Sequence, residues 1–255
     1  MINMIELEER GVVTILRMVA GKGNALNLEF TQALDECVQQ LERSPAKAVV
    51  LTGQGSVFGA GVDLPALVSG GPDYVRRFVP AMVAGFERLV TFPKPLVAAV
   101  NGHAIAGGAI LMLACDQKLL ARGKARVGLT EIRVGVEFPS WALEVARFFT
   151  PPEHLATLIL TGRTWPPEEA LARGLVDELV DAEGLLERAC EVAAELAAIP
   201  SATYAETKNA LRRPLVERAR HLTATDGPAL IEKWCAPETL RAVADFAARH
   251  IGRRS

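Results

Sequence analysis

The chain has 255 residues, of which 50% are hydrophobic and 23% are charged, and its formal net charge is −2. This composition is typical of a globular protein with a sizeable core, and the small negative charge argues against nucleic acid as a partner. The four cysteines lack the paired spacing of a zinc site, and the acidic N-terminus lacks the pattern of a secretory signal, so we expect free thiols and a cytoplasmic location.

The first third of the chain alternates predicted strands, helices and loops. Residues 5–8 and 12–18 are expected to form two paired strands around Gly11. Asn27 can cap an amphipathic helix, and a β-branched strand at residues 47–53 follows it. A glycine-rich loop then occupies residues 54–64, and we predict no long helix directly after it.

Residues 95–115 form an apolar stretch that carries no Lys, Arg, Asp or Glu and is long enough to span a bilayer. The turn residues Asn101-Gly102 and Gly107-Gly108 interrupt it. We therefore expect a buried strand at 95–100 and a buried helix at 107–115, followed by a strand at 117–121, with no membrane span.

The pattern becomes helical after about residue 161. A proline-opened helix ends at Gly174, a short strand covers residues 175–180, and the chain beyond residue 183 is rich in Ala, Leu, Glu and Arg. The predicted organisation is an α/β core over residues 1–195 and a helical region over residues 196–255.

Two segments of small residues would let a ligand approach the backbone closely. Gly53-x-Gly55 follows a strand, but the next glycine is one position late for a dinucleotide fingerprint and the expected acid is missing. Gly61-Val62-Asp63 and Ala106-Gly107-Gly108 each expose bare backbone, and the second opens a predicted helix, whose free N–H groups favour a negative oxygen. The spacing is compatible with an oxyanion hole made of two N–H groups, and equally with tight turns over a packed core.

Several motifs in this order resemble the crotonase (enoyl-CoA hydratase/isomerase) superfamily. They are VVLTGxGxxFxAGxDL, KPLVAAVNGxAxAGG, CD, GLTEIRVGV and EALARGLVDELV, and they lie within residues 5–180. The resemblance implies a crotonase-like α/β spiral of ββα units with a helical C-terminal oligomerisation region. It also implies an acyl-CoA thioester as substrate, a homotrimer or a dimer of trimers, and no metal or redox cofactor.

The resemblance also assigns roles to individual positions. It places two oxyanion donors on the backbone N–H groups of Val62 and Gly107, and the catalytic acid on Glu131. The nucleotide end of coenzyme A would lie near residues 22–26 and 60–64. Phe138 and Trp141 would either line the acyl tunnel or, as is the default for aromatic residues, pack in the core. The implied substrate contacts are Lys22, Ala25, Ala60, Asp63, Leu64, Gly108, Ile110, Phe138 and Trp141.

The number of acids distinguishes two activities of this family. Hydratases of the family use two glutamates, and the position of the first is Ile110 here, which cannot hold water and should face the same pocket one helical turn from Gly107. A single acid suits an isomerase, in which one glutamate takes a proton from C2 of a 3-enoyl thioester and returns it at C4. An apolar pocket should raise the pKa of Glu131 toward the working pH.

Alternatives remain open at this point. A hydratase could combine Glu131 with a second group such as Glu137, and a non-catalytic member could bind acyl-CoA or RNA. His103 is either a turn residue or a titrating group near the pocket, and Asp116 is expected to join helix and strand backbone. An arginine cluster is either a solvated face or a phosphate contact: Arg212, Arg213, Arg218 and Arg220.

Overall fold

A six-stranded, mostly parallel sheet and a smaller four-stranded sheet form the centre of the molecule. The computed structural model describes residues 4–21 and 23–250. The strands are β1 (Ile5–Arg10), β2 (Val13–Met18), β3 (Ala48–Thr52), β4 (Val57–Gly59), β5 (Leu96–Val100), β6 (His103–Ile105), β7 (Gln117–Ala121), β8 (Val127–Gly128), β9 (Thr164–Trp165) and β10 (Glu178–Val180). The helices are α1 (Leu28–Arg43), α2 (Leu64–Thr91), α3 (Gly107–Leu113), α4 (Glu131–Val134), α5 (Ser140–Phe149), α6 (Pro152–Thr161), α7 (Pro167–Ala172), α8 (Leu185–Ala197), α9 (Ser201–Cys235) and α10 (Pro237–His250).

The larger sheet has the strand order β1-β2-β3-β5-β7-β10, and the smaller has the order β4-β6-β8-β9. β1 and β2 pair antiparallel around Gly11, as the sequence predicts, whereas the other neighbours in the larger sheet are parallel. Parallel neighbours need crossover connections, which the helices supply. The α/β class expected from the sequence is therefore confirmed.

The two faces of the larger sheet bury different side chains. The main core lies between one face and helices α1, α2, α3 and α5, while a second cluster of valine, leucine and alanine lies between the other face and α8. Such alternation is expected of strands that are covered on both faces.

Local signals in the sequence set several element boundaries. Asn27 caps α1, since its Oδ1 accepts from the N–H of Phe30 at 2.8 Å. The apolar stretch at residues 95–115 divides into β5, β6 and α3, and none of the described helices is long and apolar enough to cross a membrane.

Helix α2 corrects the expectation that no long helix follows the glycine-rich loop. It has 28 residues and begins after Asp63, whose Oδ1 accepts from the N–H of Ala66 at 3.0 Å. Gly71, with φ of 60°, kinks it, and Pro72 follows. Glycine and proline interrupt the helical pattern in the sequence, whereas burial of the apolar face on both sides of the kink stabilises the helix in the fold.

The carboxylate of Asp116 joins helix α9 to the sheet. It accepts from the N–H of Leu96 at 2.8 Å, from Nζ of Lys208 at 2.6 Å and from Nη2 of Arg212 at 2.6 Å. The structural role expected of Asp116 is confirmed, and Arg212 is a buried ion-pair partner instead of part of a solvated face. The remaining arginines of that cluster are exposed: Arg213, Arg218 and Arg220.

Replacing Asp116 with Asn should lower the free energy of unfolding by about 3–5 kcal/mol, because two buried cations then lack their carboxylate. Urea denaturation measures the change. Asp73→Asn is a matched control, since the Asp73 side chain is 99% exposed and pairs with Arg76 at 3.5 Å. We expect at most about 1 kcal/mol there. Similar losses in both variants would contradict a central role for the buried cluster.

The C-terminal helices fold back onto the core of the same chain. α9 packs against α2 and α5, and α10 packs against α2 and α4. The predicted helical C-terminal region is thereby confirmed, and the boundary between residues 195 and 196 stays a prediction.

Candidate active site

A cavity of about 410 Å³ lies where the smaller sheet meets α2, α4 and the last two helices. It has an apolar interior, with Leu67 and Trp234 almost inaccessible to solvent, and a polar mouth, where Arg126 and His250 are exposed. The lining residues are Val57, Ala60, Val62, Leu64, Leu67, His103, Ile105, Ala106, Arg126, Thr130, Glu131, Val134, Val136, Thr164, Trp234, Phe246 and His250. A mostly apolar concavity with a few convergent polar groups is typical of a small-molecule site.

Glu131 is the first residue of the one-turn helix α4, in the cavity wall. The helix ends at Gly135, whose φ of 89° lies in the left-handed region and whose N–H donates to the carbonyl of Glu131 at 3.0 Å. A Cβ placed on Gly135 would lie 3.1 Å from Cβ of Ala242, so α10 packs directly against this turn. The position of the carboxylate therefore depends on the C-terminal helix as well as on its own loop.

The carboxylate of Glu131 is buried and incompletely paired. Burial raises its pKa from 4.5 to about 7, and the N–H groups of Glu131 and Thr130 oppose part of that shift. Its Oε2 has no hydrogen-bond partner among residues 4–21 and 23–250. A group that titrates near neutral pH can both accept and release a proton, and an unpaired buried oxygen is kept at a cost in free energy.

Glu131→Gln should make the protein more stable at about pH 8, by up to about 3 kcal/mol. The folded-state pKa of about 7 lies above the unfolded value of 4.5. The folded protein therefore binds the proton more tightly, and its stability falls as pH rises through that interval. Glutamine has no such charge to bury, so the advantage should vanish near pH 4. Urea denaturation at both pH values measures it, and Glu137→Gln, at an exposed glutamate, should show no comparable gain.

Two backbone amides at the cavity, those of Val62 and of Gly107 next to the lining residue Ala106, lack acceptors. The parallel bridge between Leu26 and Val62 uses the N–H groups of Leu26 and Asp63, which leaves the N–H of Val62 free. Gly107 is the first residue of α3, where an N–H has no intrahelical acceptor. In the described part of the chain neither amide donates a hydrogen bond, so both are available to an external oxygen.

The backbone before each of these amides has a positive φ. Gly61 precedes Val62 with φ of 85°, and Ala106 precedes Gly107 with φ of 51°. A Cβ on Gly61 would lie 2.7 Å from Cβ of Ala106 and 3.5 Å from the nitrogen of Gly107. The missing side chain allows the two segments to approach, and the strained alanine is typical of a functional site.

Gly108 has a packing role next to these amides. A Cβ on Gly108 would lie 2.2 Å from the carbonyl oxygen of Gly59, which is impossible without moving one of the backbones. The glycine therefore allows the start of α3 to rest on β4. This contact places the N-terminus of α3 at the edge of the cavity.

The structure brings together some of the residues that the sequence nominates. Ala60, Val62 and Leu64 line the same cavity as Glu131, and Gly107 directly follows the lining residue Ala106. Lys22 lies outside the described residues. The nominated residues absent from the lining are Ala25, Asp63, Gly108, Ile110, Phe138 and Trp141. The contacts of all these residues with a substrate stay predictions.

Ile110 differs most from expectation, whereas Trp141 has the core position that is the default for a large aromatic residue. Both are fully buried in the main core and neither lines the cavity. Because every residue of α3 is buried, the helix has apolar neighbours on all sides. Ile110 lies one helical turn after Gly107, but its side chain packs in the core and does not line the cavity. The expectation that it faces the pocket is corrected.

Glu137 does not supply a second acid. Its carboxylate is 53% exposed and pairs with Nζ of Lys233 at 2.6 Å. Only its backbone turns inward, where the carbonyl accepts from Nε1 of Trp234 at 3.0 Å. The alternative that combined Glu131 with Glu137 is therefore not supported by the geometry.

Several lining residues are not predicted from the sequence. Trp234, Phe246 and His250 reach the cavity because α9 and α10 fold back, and no local pattern indicates that return. His103 lies in β6 and lines the cavity, so it is near the pocket as the second interpretation requires. Arg126 lies at the mouth, where its Nε donates to Oγ1 of Thr164 at 3.2 Å.

Comparison with known proteins identifies the family. A family model described as enoyl-CoA hydratase/isomerase matches residues 8–230. The chain belongs to the enoyl-CoA hydratase/isomerase family. Among relatives, it is 37% identical over 199 residues to a Thermus thermophilus protein named "Putative enoyl-CoA hydratase", covering 76% of this chain and 78% of that protein.

Solved structures of family members confirm the crotonase-like fold. The chain is similar to human mitochondrial delta3-delta2-enoyl-CoA isomerase, with a TM-score of 0.95, 25% identity and coverage of 99% of this chain and 100% of that one. It is also similar to a probable enoyl-CoA hydratase from Mycobacterium tuberculosis, with a TM-score of 0.84, 29% identity and coverage of 91% and 98%. The helical C-terminal region belongs to the shared fold, and relatives of both names lie close to this chain.

Proposed function

We propose that this family member is an enoyl-CoA isomerase, which moves a 3,4 double bond of an acyl-CoA thioester to the 2,3 position. One observation carries the proposal: among the described residues, Glu131 is the only carboxylate that lines the cavity. One acid can serve both proton transfers of an isomerisation, whereas the two-glutamate hydration expected for this family needs a second.

In the proposed reaction, the thioester oxygen accepts hydrogen bonds from the N–H groups of Val62 and Gly107. Glu131 removes a proton from C2, and the electrons of the broken C–H bond form a C1–C2 double bond while the thioester oxygen takes the negative charge, which gives a dienolate. The protonated Glu131 then delivers the same proton to C4. The electrons of the C3–C4 double bond form the new C–H bond at C4, those of the C1–C2 double bond form the C2–C3 double bond, and the thioester carbonyl is restored. The oxyanion donors stabilise the charge where it develops, and a pKa near 7 suits both transfers.

The apolar interior supports the same chemistry. Leu67, Val134, Trp234 and Phe246 line the cavity together with Glu131, so much of its wall offers no polar group that could hold a water molecule. Exclusion of water protects the proton held by Glu131 from exchange. The proposed reaction uses no metal or redox cofactor, because the thioester and the two amides activate C2.

A second candidate is hydration. His103 lines the cavity and could polarise water in place of the missing glutamate, and several relatives carry the name hydratase. A binding role without catalysis is less well supported, because a buried carboxylate with an unpaired oxygen lowers stability and a pure binding role gives no reason to keep it. The acyl-CoA substrate is consistent with the family, and the trimeric or hexameric assembly and the cytoplasmic location remain predictions.

Ultraviolet absorbance of the conjugated thioester tests the function. Purified protein is mixed with a 3-enoyl-CoA and, separately, with a 2-enoyl-CoA. We expect absorbance to rise with the first substrate and to stay constant with the second. Loss of absorbance with the second, together with a 3-hydroxyacyl product, would indicate hydration instead. No change with either would contradict both activities.

Phe246→Ala should increase the entry of solvent deuterium into the product at C4, because the smaller side chain admits water into the cavity that Glu131 lines. The isomerisation is run in heavy water and the product is examined by mass spectrometry. Phe138→Ala is the matched control, since Phe138 is partly buried and does not line the cavity. An equal deuterium content in the wild type and in Phe246→Ala would contradict the shielding role.

A further inference from the structure

A second cavity, also of about 410 Å³, lies between the end of α5, the end of α8 and the start of α9. Its described lining shares no residue with the first cavity. The lining residues are Asp116, Gln117, Phe148, Phe149, Leu196, Ile199, Thr203, Tyr204, Thr207, Lys208, Leu211 and Arg212. We call it the α9 cavity.

One part of the α9 cavity is apolar and open to solvent. Phe148 and Phe149 pack edge to face with ring centroids 4.8 Å apart, and Leu196 lies near them in the wall. At the rim, Ile199 is 41% exposed and Leu211 is 65% exposed. Large apolar side chains that remain exposed around a concavity indicate a binding surface.

The other part carries an excess of positive charge. Lys208 and Arg212 share the single carboxylate of Asp116, and both side chains are at most 5% exposed. Among the described residues, Asp116 is the carboxylate that forms ion pairs with Lys208, at 2.6 Å, and with Arg212, at 2.6 Å. Burial lowers the pKa of Lys208 to about 8, with Asp116 opposing the shift and Arg212 adding to it, so Lys208 is mostly protonated at neutral pH. The cluster therefore holds two buried cations and one anion.

The two cations also have hydrogen-bond donors to spare. The ammonium of Lys208 donates to the carbonyl of Lys94 and to Asp116, which uses two of its three N–H bonds. The guanidinium of Arg212 donates to the carbonyl of Val90 and to Asp116, which leaves three of its five N–H bonds. An anion in the cavity could accept from the remaining donors.

We propose that the α9 cavity binds a small amphipathic carboxylate, whose head neutralises the excess charge at Lys208 and Arg212 and whose alkyl tail covers the apolar rim. A neutral apolar segment from another chain would bury the rim but would supply no anion for the excess positive charge. A fatty-acid anion has both groups: a carboxylate for the cationic part of the cavity and an alkyl chain for the apolar rim. The proposal does not depend on the chemistry of the first cavity.

Isothermal titration calorimetry with octanoate, below its micelle concentration, tests the proposal. Octanol and octylamine have the same tail without the negative charge. We expect octanoate to bind at about pH 7 and the other two to bind at least about tenfold more weakly. Equal binding of octanol would show that charge plays no part, and absence of octanoate binding would overturn the proposal.

Two variants locate the site. Thr207→Glu adds a carboxylate to the lining of the α9 cavity and should weaken octanoate binding about tenfold or more. Asn209→Glu adds the same charge at an exposed position of α9 outside the lining and should leave binding unchanged. Normal binding of octanoate by Thr207→Glu would show that octanoate lies elsewhere. Displacement of octanoate by a CoA thioester would show the same, and either result would overturn the assignment.

Discussion

Glu131→Gln should lower isomerase turnover by about 10²–10⁴-fold, the contribution typical of a general acid–base group, and should leave CoA-thioester binding close to that of the wild type. Glutamine keeps the shape of the side chain but cannot take a proton from C2. Initial rates with a 3-enoyl-CoA give kcat, and calorimetry with the same thioester gives its affinity for the inactive variant.

Glu137→Gln is the control for this experiment. It makes the same chemical change at an exposed glutamate that pairs with Lys233, and turnover should stay near the wild-type value. Full turnover of Glu131→Gln would show that another group is the base. Loss of binding together with turnover would instead indicate that Glu131 mainly maintains the shape of the cavity.

Gly61→Ala should lower kcat by about 10²–10³-fold, the effect expected when one donor of an oxyanion hole is lost. The new Cβ would lie 2.7 Å from Cβ of Ala106, and φ of 85° is unfavourable for alanine. Relief of this clash separates the segments that carry the N–H groups of Val62 and Gly107. Steady-state kinetics with a 3-enoyl-CoA measures the change.

Gly55→Ala separates backbone strain from loss of the oxyanion donor. Gly55 also has a positive φ, of 61°, but a Cβ there would meet no atom within 4 Å. This variant should lose about 1–2 kcal/mol of stability and keep its turnover. An equal loss of kcat in both variants would indicate that strain, and not the approach of Gly61 to Ala106, is responsible.

Local sequence predicts those parts of the fold whose turn, capping or polarity signals lie within the segment itself. The strands on either side of Gly11, the cap at Asn27 and the division of residues 95–115 all follow from turn, capping and polarity signals that act within a few residues. The same kind of signal fails for α2, since Gly71 and Pro72 interrupt its pattern and only packing against the core restores the helix.

For the candidate site, the sequence and its resemblance to the family determined which groups to consider: Glu131 as the acid, and the backbone amides of Val62 and Gly107 in two segments of small residues. The tertiary structure decided which side chains share the cavity with them. It buried Ile110 in the core, turned Glu137 to solvent and brought Phe246 over the cavity from the end of the chain. Side-chain direction and water exclusion depend on contacts between segments distant in sequence, and no local pattern specifies those contacts.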